Sequence, residues 1–253
     1  MVNLIYKVAA PILRLLYKNR ITSKRIKNSP NRLYYFVDQH LGFWGKPTIQ
    51  YEPECMRIIG KCVTVGDVVF DIGANIGQYT LFLSGLLGSG GKLISIEPDS
   101  DNYAFLHFNL SMNKCSNVKA LQCAVGGVHQ HQKFYKDSVT GGRMSSLIES
   151  NVGNSFNGKT EEVEVITMSD LIDMYGIPDF IKIDVEGAEF EVLDKLDNRL
   201  MKTIIFVETR KETKNQVFDL FAERNRQVYL IDNGLHLMAH ANAIPDYANL
   251  IIK

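Results

Sequence analysis

The sequence predicts an α/β protein: a mostly parallel sheet with helices on both faces and an antiparallel last strand. Three observations lead there. Beyond Val65, apolar runs of strand length alternate with stretches of helical periodicity. The first run, Val68 to Ile72, meets a turn marked by Gly73 and Gly77 and passes directly into a helical pattern. The last two runs, near 227–232 and 247–252, are separated by loop residues alone, so they should form an antiparallel hairpin at the sheet edge.

In order, a strand over 68–72 precedes a helix near 76–87, and a strand over 92–96 precedes a helix near 101–113. A strand over 118–125 opens an excursion from about 126 to 167 that breaks the alternation. Its segment Glu161 to Ile166 alternates charged and β-branched residues, as an exposed strand does. A helix near 169–175, a strand over 179–184, a helix near 188–197, a strand over 203–208 and a helix near 214–225 follow. Such alternation implies right-handed crossovers. The excursion, inserted at the ligand-binding edge, suits a substrate cover.

At 253 residues, with 45% apolar and 22% charged content, the chain can bury one substantial core. Its net charge is zero, so no global field recruits nucleic acid. Residues 1–60 read as a helical, basic N-terminal extension, and 61–253 as the ligand-binding domain. The first thirty positions hold Lys7, Arg14, Lys18, Arg20, Lys24, Arg25 and Lys27 and no acid. The apolar run Met1 to Tyr17 is interrupted by Lys7, Pro11 and Arg14, too short and too charged to span a bilayer. It either packs its apolar side on the domain or makes peripheral contact with an anionic membrane. Cys55, Cys62, Cys115 and Cys123 lack metal or redox spacing and read as cytoplasmic thiols.

The turn after the first strand restricts the ligand. A dinucleotide fingerprint requires glycine at its first, third and sixth positions, and here Gly73 is followed by Asn75 and Gln78. Asp71, just before the turn, would repel a pyrophosphate and attract a cation. Glu97 closes the next strand where an acid can accept both hydroxyls of a ribose. An adenosine without phosphates and with positive charge is implied: S-adenosyl-L-methionine.

The segment Ile181 to Glu189 is the second informative one. Alternation would put Lys182, Asp184 and Glu186 on one side, a poor core and a workable reaction floor. Methyl transfer from a sulfonium is an in-line displacement, and a hydroxyl acceptor must also lose its proton. Asp184 is the first candidate for that proton, followed by Glu186 and Glu208, with Lys182 tuning or pairing with Asp184. No metal ligand is assigned, although a divalent cation held by Asp184 and Glu208 is an open alternative. Simpler roles compete: Asp184 as a helix cap, Lys182 as a structural ion-pair partner, Glu97 as a solvated strand end, Glu208 paired with Arg210. Arg143 and Ser145 could contact substrate.

Asp71-Ile72-Gly73-Ala74-Asn75-Ile76-Gly77, Glu97-Pro98, Asn109, Ala124-Val125-Gly126, Ser145-Ser146-Leu147 and Lys182 to Glu189 together resemble the FkbM-type S-adenosylmethionine-dependent methyltransferases. The resemblance covers roughly residues 65 to 210. It implies a seven-stranded, Rossmann-like class I methyltransferase fold and O-methylation of a hydroxyl. It also implies that Asp71, Gly73, Asn75 and Gly77 surround the methionine part of the cofactor. Glu97 would hold the ribose, and Cys123 and Ala124 would lie beside the adenine. The expected acceptor is a sugar in a glycan or glycolipid precursor, handled in the cytoplasm, with a peripheral place at the inner face of the membrane as the alternative. An amine, protein or other small-molecule acceptor is an alternative, as is a non-catalytic module that only binds the cofactor.

Overall fold

The computed structural model describes residues 11, 13–43, 46–141, 145–149 and 156–253. Much of Met1 to Tyr17, with Gly142 and Arg143, lies outside them. In chain order the elements are β1 (Ile21–Arg25), β2 (Arg32–Phe36), α1 (Pro53–Cys62), β3 (Val68–Ile72), α2 (Gln78–Leu87), β4 (Lys92–Ile96), α3 (Ser100–Asn113) and β5 (Val118–Leu121). Then come β6 (Ala124–Val125), β7 (Gln130–Asp137), β8 (Phe156–Ile166), α4 (Met168–Tyr175), β9 (Phe180–Ile183) and α5 (Glu189–Leu193). The remainder is β10 (Ile204–Arg210), α6 (Lys214–Ala222), β11 (Val228–Ile231), β12 (Leu235–Leu237) and β13 (Tyr247–Ile252).

The main sheet has the order β12-β11-β13-β10-β9-β3-β4-β5. The run from β10 to β5 is parallel, and its strands are nearly continuous apolar sequence because helices cover both faces. One core lies on the side of α4, α5 and α6; the other lies on the side of α1 and α2. The polar residues inside β3 and β9, Asp71 and Lys182, are therefore enclosed and must find partners within the protein.

The last two expected runs do pair antiparallel, as β11 and β13, but this pair does not form the sheet edge. The last strand, β13, inserts antiparallel between β10 and β11, pairing Ile205 with Ile252 on one side and Val228 with Ile252 on the other. The apolar run of β13, buried at Leu250, Ile251 and Ile252, requires an interior place. The short β12 forms the edge instead, giving eight strands where seven were expected.

The expected strand over 118–125 also divides. Its first half stays in the main sheet, whereas β6 leaves it to pair with β8 in a separate sheet of order β6-β8-β7. On β8, Val163 and Val165 are buried while Glu162 and Glu164 are exposed, the alternation read from the sequence.

The described part of residues 1–60 corrects the expectation of a helical extension. Residues 13–16 are helical, but β1 and β2 form an antiparallel hairpin from Ile21↔Phe36 to Arg25↔Arg32. Leu33 and Tyr35 are fully buried and join Ile26, Ile49 and the α1 residues Met56 and Ile59 in one cluster with Val69, Leu93 and Phe180. The leader thus completes the main core rather than forming a unit beside it. Among the described residues no helix is long and apolar enough to cross a membrane.

Candidate active site

A cleft opens outside the carboxyl ends of β3, β4, β9 and β10, where open α/β sheets bind ligands. It begins at the turn after β3. Gly73 has φ 78°, and a Cβ there would stand 1.8 Å from the Asp184 carbonyl oxygen. Glycine is required for two strand ends to lie this close. Asn75 takes φ 52°, a left-handed conformation that asparagine tolerates, and its Oδ1 accepts from the Ile76 N–H at 2.7 Å. Gly77, at φ 97°, abuts Leu106 of α3 and does not line the cleft.

Glu97 sits at the cleft floor, only 5% exposed, so it is not a solvated strand end. Its Oε2 accepts from the Asn75 N–H at 2.7 Å and its Oε1 from the Asp99 N–H at 3.0 Å. Each oxygen keeps a lone pair, the arrangement a vicinal diol needs. Burial first, then the charge of Asp99, pushes its pKa up to about 7. Beyond it Ile96, Cys123, Ala124, Val125, Phe134 and Leu147 give an apolar slot. Burial carries the Cys123 thiol to about 12, so it packs there as a neutral group.

Asp71 is placed differently from a ligand contact. It is fully buried and does not line the cleft; Oδ2 accepts from the Thr80 hydroxyl at 2.6 Å, and Oδ1 lies 3.4 Å from Lys182 Nζ. Lys182 in turn donates to the Gly73 carbonyl at 2.7 Å, lies 3.3 Å from Asp184 Oδ2, and stands over the Tyr79 ring at 5.4 Å. Burial alone would lower the ammonium pKa, but Asp184, Asp71 and Glu208 together carry it up to about 12. Lys182 is thus a fixed cation that ties the glycine turn to the reaction floor.

β9 ends at Ile183, so the alternation expected through Glu186 stops short. Glu186 instead adopts φ 56° in a loop, followed by Gly187 at φ 97°. Glu189 braces this loop, accepting from the Gly187 N–H at 2.7 Å and from the Thr213 hydroxyl at 2.9 Å. The loop still brings Asp184, Glu186 and Glu208 together, with ligand oxygens within 4.8 Å of one another. Asp184 does not cap α5, whose N-cap is Ala188 without a side-chain bond.

Arg210 pairs with Glu186, and Glu208 is left facing the cleft, contrary to the expected Glu208–Arg210 pair. Burial and then the charge of Asp184 raise the Glu208 pKa, while the Tyr247 hydroxyl donates to it. Two of the three clustered acids already hold a cationic side chain, so the donor set is suited to a hydroxyl or a sulfonium as it stands.

Sequence reasoning missed the far wall. Tyr51 lines the cleft and meets Tyr79 edge-on at 5.9 Å, while the Tyr79 hydroxyl donates to Glu52 at 2.7 Å. Glu52 sits at φ 38° before the helix-starting Pro53. A single charged residue ahead of Pro53 was the one available signal. The excursion supplies the roof: Ser145 and Leu147 line the cleft, and Gly141 donates its N–H to Asn102 at 2.6 Å. Arg143 lies outside the described residues.

The group implied by the sequence, S-adenosylmethionine, fits this donor set. Both Glu97 oxygens can still accept from a diol, the slot beside Cys123 and Ala124 is apolar, and acids outnumber cations around the remaining space.

Comparison with known proteins agrees. The family model of the Methyltransferase FkbM domain matches residues 71–232. "Methyltransferase sdnD" of Sordaria araneosa is 29% identical over 175 residues, 56% of this chain and 65% of that protein. "31-O-demethyl-FK506 methyltransferase FkbM" of Streptomyces tacrolimicus is 30% identical over 170 residues, 56% of this chain and 64% of that protein. The chain thus spans just under two thirds of the length of these two relatives. The crystal structure of methyltransferase FkbM from Methylobacillus flagellatus KT shares the fold, with a TM-score of 0.51 and 19% identity over 76% of this chain and 44% of that one. With most of the strand ends and helices that build the cleft inside the matched segment, this chain belongs to the FkbM methyltransferase domain family.

Proposed function

We propose that the protein is an O-methyltransferase that moves a methyl group from S-adenosylmethionine to a hydroxyl of a sugar in a glycan or glycolipid precursor. The cofactor, when bound, supplies an electrophilic methyl on a sulfonium; the chain's own residues do the rest. Glu97 accepts the ribose hydroxyls, and the side-chain-free turn at Gly73 lets the backbone approach. Asp184, fixed by Lys182, orients the acceptor hydroxyl. Glu208 takes its proton: a carboxylate whose pKa is raised by burial and by Asp184 is a better base than an ordinary one. Glu186, held by Arg210, keeps the loop that carries Asp184 in place.

The observation that carries this reading is the buried Glu208 facing the cleft beside Asp184. A sugar acceptor is favoured by the pairing of several carboxylates with the Tyr51 ring at the cleft wall, since carboxylates accept hydroxyls and aromatic faces pack on C–H surfaces. A relative named as a methyltransferase of 31-O-demethyl-FK506 supports oxygen as the receiving atom. Lys182 and Arg210 hold Asp184 and Glu186, so the reading routes no step through a divalent cation.

The test pairs calorimetry with product analysis. Wild type should bind S-adenosylmethionine and release S-adenosylhomocysteine when given a cell-surface glycan pool, with a product one methylene heavier. Glu208→Gln should bind the cofactor normally and lose roughly 100- to 10,000-fold in turnover. Cofactor binding with no S-adenosylhomocysteine from any hydroxyl, amine or protein acceptor would point to a binding module. Full turnover of the Glu208→Gln protein would remove Glu208 as the base.

A further inference from the structure

The start of the described chain carries an apolar face of unusual composition. Leu15 is 76% exposed, Leu16 63% and Ile21 47%. Residues 13–16 are helical, and Leu13 and Tyr17 turn inward onto Val37 and Leu41. The outer side, where a solvated helix carries polar groups, is therefore taken by two leucines. Single exposed apolar residues are common, but three on so short a segment form a patch.

Around them stand the exposed cations Arg14, Lys18 and Arg20, with Arg25, Lys27 and Arg32 on the adjoining hairpin. No carboxylate occurs before Asp38. The partners of Lys24, Arg25, Lys27 and Arg32 are neutral oxygens of Phe43, Lys46, Ser29, Gln50 and Ser23. The whole chain has zero net charge, so this end is a local excess of positive charge.

Apolar side chains flanked by such cations match an anionic bilayer surface, where both terms act together. A second copy of the chain is a poor occupant, since it would set two cationic faces against each other. The segment that carries these side chains connects to the cleft rim only through the residues it rests on. The turn from Val37 to Leu41 carries His40, whose Nε2 lies 3.2 Å from the Thr140 carbonyl, and the neighbouring Gly141 lines the cleft.

We propose that this face docks the protein on an anionic lipid bilayer, with Leu15, Leu16 and Ile21 entering the headgroup boundary and the cations resting on lipid phosphates. This inference is independent of the acceptor assigned above.

The full chain should be spun with sucrose-loaded vesicles of phosphatidylcholine, alone or mixed with phosphatidylglycerol. Partition should rise roughly tenfold or more with the anionic lipid and fall at high salt. Leu15→Glu with Leu16→Glu, and separately Lys18→Glu with Arg20→Glu, should each reduce partition by roughly tenfold. Circular dichroism and S-adenosylmethionine affinity should stay unchanged, which separates lost docking from lost folding. Three results overturn the proposal: no partition of wild type, leucine variants that bind as wild type does, or light scattering that shows a dimer split by the leucine variant.

Discussion

Glu97 has a pKa near 7 in the ligand-free protein, and that gives ligand binding a definite pH sign. In the role proposed for Glu97, ribose hydroxyls donate to the ionised carboxylate, so the ligand favours the form that exists above pH 7. Affinity for S-adenosylmethionine should therefore rise by about tenfold per pH unit up to neutrality and level off beyond it. Isothermal calorimetry across that range checks this. Glu97→Gln should flatten the slope and weaken binding by roughly 10- to 100-fold; an unchanged slope would assign the titration to another group. Stability runs the other way. A carboxyl whose pKa is raised on folding makes the ligand-free protein less stable as pH climbs from the ordinary glutamate value, 4.5, through 7. Several such residues were legible from the sequence because their signal is local: Gly73, Asn75 and Glu97 follow from one turn and one spacing. Asp71 and Glu208 were read less well. Their partners, Lys182 for the first and Asp184 and Tyr247 for the second, arrive from other strands. The Glu208–Arg210 pairing was the neighbour the sequence offered, and the loop over 184–187 supplied Arg210 with a better one.

The elements that hold the turn are as specific as the turn itself. Asn109 on α3 accepts from the Tyr34 N–H at 2.8 Å and donates to the Tyr34 carbonyl and, at 2.8 Å, to the Ile76 carbonyl. One fully buried amide thus fastens the β1–β2 hairpin to the turn after β3. Asn109→Ala leaves three backbone groups without partners and should destabilise the fold by about 2–4 kcal/mol, seen as a lowered denaturant midpoint. Gly73→Ala faces a harder limit, since the Asp184 carbonyl cannot move without displacing β9. Its expected outcome is loss of cofactor binding at a lowered melting temperature, read by calorimetry and thermal scanning. Buried parallel strands such as β3 and β4 were visible at their true bounds because their apolar runs end in acids and glycines. The β1–β2 hairpin was not. Its first strand, Ile-Thr-Ser-Lys-Arg, has little apolar content, and only tertiary contact of Leu33 and Tyr35 with the sheet reveals its role.

At the scale of the whole molecule, the leader and the excursion clamp the parallel sheet from two sides. Lys136 of β7, nearly buried, lies 2.8 Å from Asp101 and 3.1 Å from Asp99 at the start of α3, and donates to the Ser100 hydroxyl at 3.0 Å. Lys136→Met leaves Asp99 with an uncompensated buried charge and should loosen the roof, raising hydrogen exchange in β7 and β8 before the central strands. Removal of residues 1–37 should give an insoluble product rather than a smaller soluble domain, because Ile26, Leu33 and Tyr35 are core; expression and gel filtration decide between these. The interior place of β13 has a different consequence, for synthesis on the ribosome. Until residues 247–252 emerge from the exit tunnel, β10 and β11 each present an unpaired edge, and Glu208 lacks the Tyr247 hydroxyl. A nascent chain stalled or truncated just short of this strand would carry every motif of the family and still have a gap through the middle of its sheet.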